Sequence, residues 1–124
     1  MTNESKRKGN AFGGKAFIMI PLDLLDAWFS LSHNASRFVI ILMKEHGRHR
    51  GKQNGRLQAT YRQLVSVGIT RRLIAPAIRE ACRSGLVRIT RPGGRHLATL
   101  YELTWLPSLY AVDPQPKATT GEAA

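Results

Sequence analysis

The sequence predicts a small α+β domain, mainly α, with its helices first and a β-hairpin last. Three observations carry that expectation. Between Leu22 and Gly85, apolar residues recur at helical spacings, and Pro21, Ser32, Thr60 and Thr70 stand where helices would start. From Leu86 to Trp105 the spacing falls to two, interrupted by Pro92-Gly93-Gly94. A length of 124 residues suits one domain with one core.

Residues 1–14 are polar, basic and rich in glycine, and read as a disordered N-terminal arm. Lys6-Arg7-Lys8 leaves open a second role for that arm, touching phosphate or a minor groove. The folded domain is expected over 15–106. Phe17 to Pro21 is extended in character, and Leu22 to Phe29 reads as a brief helix with Pro21 at its start. Leu22, Leu25, Trp28 and Phe29 share a face, and Trp28 and Phe29 are expected in the core. The alternative is an exposed apolar patch for a dimer partner.

Ser32 caps a second helix, His33 to His46, whose inward stripe is Ala35, Phe38, Val39, Leu42 and Met43. Ile40 and Ile41 widen the apolar surface, as expected of a scaffold helix buried on more than one side. Gly47 to Gly55 reads as an unburied basic loop ending in the Asn54-Gly55 turn signal. Arg56 to Ala59 is a short strand able to pair with the later hairpin.

Thr60 with Gln63 forms a capping box for a short helix whose apolar side is Leu64, Val65 and Val67. Gly68 suits the positive φ that ends a helix sharply, Ile69 re-enters the core, and Thr70 caps the next helix, over 70–84. Ile74, Ala77, Ile78 and Ala81 make its buried face, with Arg72, Arg79 and Arg83 on another. Two helices joined by a short Gly turn, the second bearing an arginine stripe, form a helix-turn-helix of the kind that enters a DNA major groove. Pro76 complicates the second helix, because it cannot donate to the Arg72 carbonyl. Either the helix starts later than Thr70, moving Arg71 and Arg72 into the turn, or it kinks.

Gly85 closes that helix. Leu86–Arg91 and Ala98–Trp105 then alternate as strands, with Val87 and Ile89 on one side and Tyr101, Leu103 and Trp105 sharing a face. The tip, Pro92 to His96, carries Arg95 and His96, so the hairpin reads as a wing beside the preceding helix. Residues 107–124 read as a largely disordered tail, with Leu109 and Tyr110 able to pack back on the domain. There are no internal repeats.

The charge is localised. The span Lys44–Leu97 holds thirteen Lys or Arg and two acids, Glu45 and Glu80, so it accounts for the whole formal charge of +11. Such a field attracts polyanions, nucleic acid first. Arginines outnumber lysines by thirteen to six, which suits bidentate contacts to phosphate and guanine. A single cysteine, Cys82, excludes an internal disulfide and fits a small core residue in a reducing cytoplasm. No apolar run reaches membrane-spanning length, and no secretory h-region follows the N-terminus. The expected location is the cytoplasm.

Over residues 17–105 the order of elements resembles the winged helix-turn-helix superfamily. More narrowly it resembles small bacterial proteins encoded on phage, plasmids and integrated elements, including the DNA-binding domains of replication initiators. The residues that carry the likeness are Leu31-Ser32 with Ala35 and Arg37, Asn54-Gly55-Arg56-Leu57, Thr60-Tyr61 with Leu64, Gly68-Ile69, Ala77-Ile78-Arg79-Glu80 and Gly85-Leu86-Val87. The resemblance implies a three-helix core with a short N-terminal helix and a C-terminal hairpin wing, double-stranded DNA as partner, and a place at the bacterial nucleoid.

On that expectation Arg72, Ala75, Arg79 and Arg83 line the groove, with Arg72 and Arg79 at base edges. Arg62, Arg71, Arg88, Arg91, Arg95 and the loop residues Arg48, Arg50 and Lys52 take phosphates, and His96 joins the wing contacts. A small transcriptional regulator is the first expectation and a replication initiator the alternative, since both share this pattern. RNA or non-specific binding and a protein adaptor are rivals. The RNA reading is disfavoured because Phe17, Trp28, Phe29, Phe38, Tyr101 and Trp105 read as core rather than as a stacking platform. Catalysis is not expected. His33, His46, His49 and His96 with Cys82 make no ligand set, and no Gly-rich phosphate loop or carboxylate pair stands in the basic region. No cofactor and no small-molecule ligand are expected, and a homodimer is left open.

Overall fold

The structure is a computed structural model and describes residues 17–108. It is α+β and mainly helical. Helix α1 (Leu24–Phe29) leads to α2 (His33–Arg48), then α3 (Tyr61–Ser66), then a 3-10 turn (Arg71–Leu73) that runs into α4 (Ile74–Arg83). Strands β1 (Val87–Arg91) and β2 (Leu100–Leu103) close the chain as an antiparallel hairpin. The expectations for the N-terminal arm, for Lys6-Arg7-Lys8 and for Leu109-Tyr110 fall outside the described residues. Among the described residues no helix is long and apolar enough to cross a membrane.

Helix α2 is the scaffold. The Ser32 hydroxyl accepts from the Ala35 amide at 3.2 Å and so opens the helix. Ala35, Phe38, Val39 and Leu42 then recur at helical spacing and are all fully buried. They meet Leu64 of α3, Ile69, Ile74 and Ala81 of α4, Leu86, and the inner face of the hairpin, Val87, Tyr101 and Leu103. The Phe38 and Tyr101 rings meet edge to face at 5.1 Å. Burying a side chain of this size contributes about 1.5–3 kcal/mol. Packing therefore outweighs the few tenths of a kcal/mol by which helix propensities differ between ordinary residues.

The turn chemistry follows the sequence closely. The Thr60–Gln63 capping box forms in both directions. Gly68 has φ 98° and Gly85 φ 88°, the left-handed conformations that end α3 and α4. Arg56–Ala59 pairs with the hairpin at one point only, where Leu57 and Tyr101 exchange backbone hydrogen bonds of 3.1 and 2.9 Å.

Four expectations are corrected. Helix α4 begins at Ile74, not Thr70, and the Thr70 side chain makes no cap bond. Pro76 is thus the third residue of the helix, where its missing N–H has no helical partner to lose. Phe29 is 85% exposed and Phe17 53% exposed rather than core, because α1 turns Leu24 and Trp28 inward instead. Trp28 does pack, donating to Ser36 Oγ at 3.0 Å and meeting Trp105 edge to face at 6.0 Å. Of the pair Val87 and Ile89, opposite Leu103 and Tyr101, Val87 is buried and Ile89 half-exposed.

The last correction concerns 47–55. Gly47 and Arg48 belong to α2, and Asn54 is fully buried rather than exposed in a loop. Asn54 Oδ1 accepts from the Leu103 amide at 2.8 Å, and its Nδ2 faces the carbonyls of Leu103, Leu106 and Pro107, each at 3.1 Å. Ser108 Oγ donates back to the Asn54 carbonyl. Pro107 and Ser108 thus join the hydrogen bonds around Asn54.

Candidate nucleic-acid interface

The inward side of α4 holds Ile74, Ala77 and Ala81, and Ile78 packs partly against the core. The helical period turns Ala75, Arg79 and Arg83 to the opposite side, where all three are exposed. They form a column with one residue per turn, spaced about 6 Å apart. Arg71 and Arg72 precede them in the 3-10 turn, also exposed. The Arg71 guanidinium lies 5.4 Å from the centroid of the Tyr61 ring, which anchors the turn to α3. Arg62 follows Tyr61 on α3 and is exposed.

The hairpin supplies the next group. Arg91 Nη2 donates to the Ala98 carbonyl at 2.7 Å, so this side chain spans the base of the loop. Gly94 and Leu97 pair across a tight tip, and Arg95 and His96 sit within it, His96 at φ 61°. Gly93 donates to Thr99 Oγ1 at 3.0 Å, and a Cβ on Gly93 would stand 2.7 Å from the Leu97 carbonyl. The approach of the two strands there requires glycine. Residues 91–98 are exposed throughout.

The remaining candidates are placed differently. Arg88 lies directly across from Glu102 and forms an ion pair with it through Nε and Nη2, so it is tied to the sheet. Arg48 lies 3.6 Å from Glu45 and lines a cleft with Lys44, Gln63 and Ser66, beside α3. Arg50, at φ 56°, and Lys52 stand exposed in the turn after α2.

The two acids of the basic span both have partners. Glu80 accepts from the Ser32 amide at 2.6 Å and the Ser32 hydroxyl at 2.8 Å. Glu45 binds His49 Nε2 at 3.0 Å. By contrast no carboxylate among the described residues lies within 4 Å of Arg62, Arg71, Arg72, Arg79, Arg83, Arg91 or Arg95. Those seven cations present an uncompensated field to solvent.

Arg56 was missing from the sequence-based set. It shares a polar cleft with Gln53, Gln58, Arg91 and Leu100. The signal was available in the alternation, because Leu57 turns inward and its neighbours Arg56 and Gln58 therefore turn outward.

Two other reactive groups belong to the core. Burial pushes the Cys82 thiol up, which suppresses the nucleophilic thiolate. Burial foremost pushes the Tyr101 phenol up to about 12. Among the described residues no group of three or more His, Cys, Asp or Glu is arranged to hold a metal ion. Comparison of the chain with protein-family profiles, characterised proteins and solved structures finds no match.

Proposed function

We propose that this chain is a winged helix-turn-helix protein that binds double-stranded DNA, acting in a bacterial cytoplasm as a small transcriptional regulator. The observation that carries the reading is the segregation of charge. Both acids of the basic span are engaged at home, while the arginines of α3, the 3-10 turn, α4 and the hairpin tip face solvent without a carboxylate. On this reading α4 is the recognition helix. Arg79 and Arg83, with Ala75 leaving room beside them, address base edges in the major groove, and Arg72 reaches the groove from the turn. Arg62, Arg71, Arg91, Arg95 and His96 take phosphates on either side.

The same arrangement serves a replication initiator, which is the alternative biological role. Single-stranded RNA is less well supported. Tyr61 is the only aromatic among the described residues of α3, the 3-10 turn, α4 and the hairpin tip, and the Arg71 guanidinium already lies over it. Selection of the purified protein on a random duplex pool at physiological salt tests the proposal. Enrichment of a defined motif supports sequence-specific recognition. Retention without enrichment means phosphate-only binding, and absence of retention overturns the proposal.

A further inference from the structure

Short stretches of backbone aim polar side chains at one cleft on the outer side of the hairpin. Leu57 and Tyr101 exchange backbone hydrogen bonds and are both buried, so their chain neighbours Arg56, Gln58 and Leu100 turn away from the core. Arg91 joins them through an irregularity in the ladder. Ile89 lies across from Tyr101, but Arg91 lies across from Leu100, so Thr90 is an extra residue on β1. Strict alternation would set Arg91 on the Val87 side, toward the core, and the bulge turns it to the Leu100 side. The same extra residue anchors the opposite wall, since the Thr90 hydroxyl donates to the Gly55 carbonyl at 2.6 Å. The Arg56 amide donates to the Gln53 carbonyl at 2.8 Å and closes the turn that brings Gln53 alongside.

The result is a cleft of about 590 Å³ lined by Gln53, Arg56, Gln58, Arg91 and Leu100. The bond from Arg91 Nη2 to the Ala98 carbonyl holds that guanidinium in place, and no carboxylate among the described residues lies within 4 Å of it. Glu102, the next residue along β2 on the Leu100 side, is taken by Arg88. Two guanidiniums in one cleft repel each other, and an anion between them replaces that repulsion with attraction. Their N–H forks suit the oxygens of a phosphate, and the carboxamides of Gln53 and Gln58 add neutral donors. The described lining holds no aromatic ring, so it offers a phosphate its charge partners and a nucleobase no stacking platform.

We propose that this cleft is a phosphate-binding site in which Arg56 and Arg91 grip one phosphate group, and that its occupant is a phosphodiester of the duplex backbone. The site itself stands on the geometry of the hairpin; its occupant rests on the DNA reading.

Nuclear magnetic resonance titration of the full chain with inorganic phosphate, at constant ionic strength in chloride, tests the site without any duplex. The expected result is saturable shifts at the side-chain amides of Gln53 and Gln58 and at Nε of Arg56 and Arg91. Arg56→Gln and Gln58→Glu should each weaken binding by about tenfold or more, while Lys44→Gln on α2 removes one charge outside the cleft and leaves it unchanged. All three side chains are exposed, so the variants should keep the wild-type Tm. Absence of shifts at the cleft, or shifts indifferent to Gln58→Glu, overturns the proposal. A salt series on duplex binding then identifies the source of the phosphate. Arg56→Gln with Arg91→Gln should reduce the slope of log K against log salt by about 0.9, the value for one shared phosphate; a loss of about 1.8 means two separate phosphates and overturns the shared grip. An unchanged slope with the titration intact overturns the duplex as occupant in favour of a free phosphate. A chain that binds no duplex fails the DNA reading, and the titration still decides the site.

Discussion

Ser32 and Glu80 are 48 residues apart in sequence, yet the Glu80 carboxylate accepts both the amide and the hydroxyl of Ser32. One side chain of α4 thereby joins the cap that starts α2, and a negative charge stands at the N-terminal end of the scaffold helix, where it is favourable. The contact also holds the one acid of the helix-turn-helix away from the arginine column. A double-mutant cycle on Ser32→Ala and Glu80→Ala, read by urea unfolding, is expected to give a coupling of about 1 kcal/mol. Additive single losses would mean that the two residues do not hold α4 on α2.

Asn54 ties the turn after α2 to the strand end. Asn54→Ala strands the Leu103 amide and releases three carbonyls, at a cost of about 2–3 kcal/mol. Asn54→Asp keeps the volume but sets a carboxylate oxygen against those carbonyls, so it is expected to cost at least as much near neutral pH. Thermal unfolding of both variants checks the ranking.

Pro76 separates two descriptions of α4. With the helix starting at Ile74, Pro76→Ala removes no conflict and should change stability by less than about 1 kcal/mol. A helix running unbroken from Thr70 would place the proline in its interior, and the same substitution would then stabilise by about 3 kcal/mol. Denaturant midpoints of the two proteins decide between them.

Two arginines of the sequence-based set are expected to behave differently. Arg79→Ala should cost about 1–3 kcal/mol on the selected duplex and relax one base position. Arg88→Ala should leave the salt slope of duplex binding unchanged and lower Tm instead, because it abandons the largely buried Glu102. Isotherms across a salt series with matched melting curves test both; a lowered slope for Arg88→Ala would return that residue to the phosphate contacts.

His46 should make stability fall on the acid side. Its Nδ1 is buried with no hydrogen-bond partner among the described residues, and burial holds its pKa below the ordinary 6.5. The unfolded chain then takes up the proton first as pH falls. This contribution is complete above 6.5 and is lost as pH drops below it toward the lower folded value. Replacing the imidazole by Leu in His46→Leu should flatten that part of the pH profile.

Much of the fold was legible because its signals are local. A capping box needs residues three apart, a positive-φ helix end needs one glycine, and the inward stripe of α2 needs one helical period; Thr60–Gln63, Gly68, Gly85 and Phe38–Leu42 all stood as read. The basic span was equally plain, since net charge is a property of composition. The pairing of those charges was not. That Arg88 is held by Glu102 depends on hairpin register, and that Glu80 turns to Ser32 depends on how α4 crosses α2. Asn54 looked like a turn residue because Asn-Gly is one, and only the approach of Leu103 through Pro107 makes it a buried hub. Phe29 carried the same apolar signal as Phe38, but periodicity gives a helix an apolar side without saying whether anything covers it. The sequence alone determined the order of helices and strands, the glycine turns and the place of the charge. The tertiary structure decided which polar groups satisfy one another and which apolar face remains open, because both depend on contacts between residues distant along the chain.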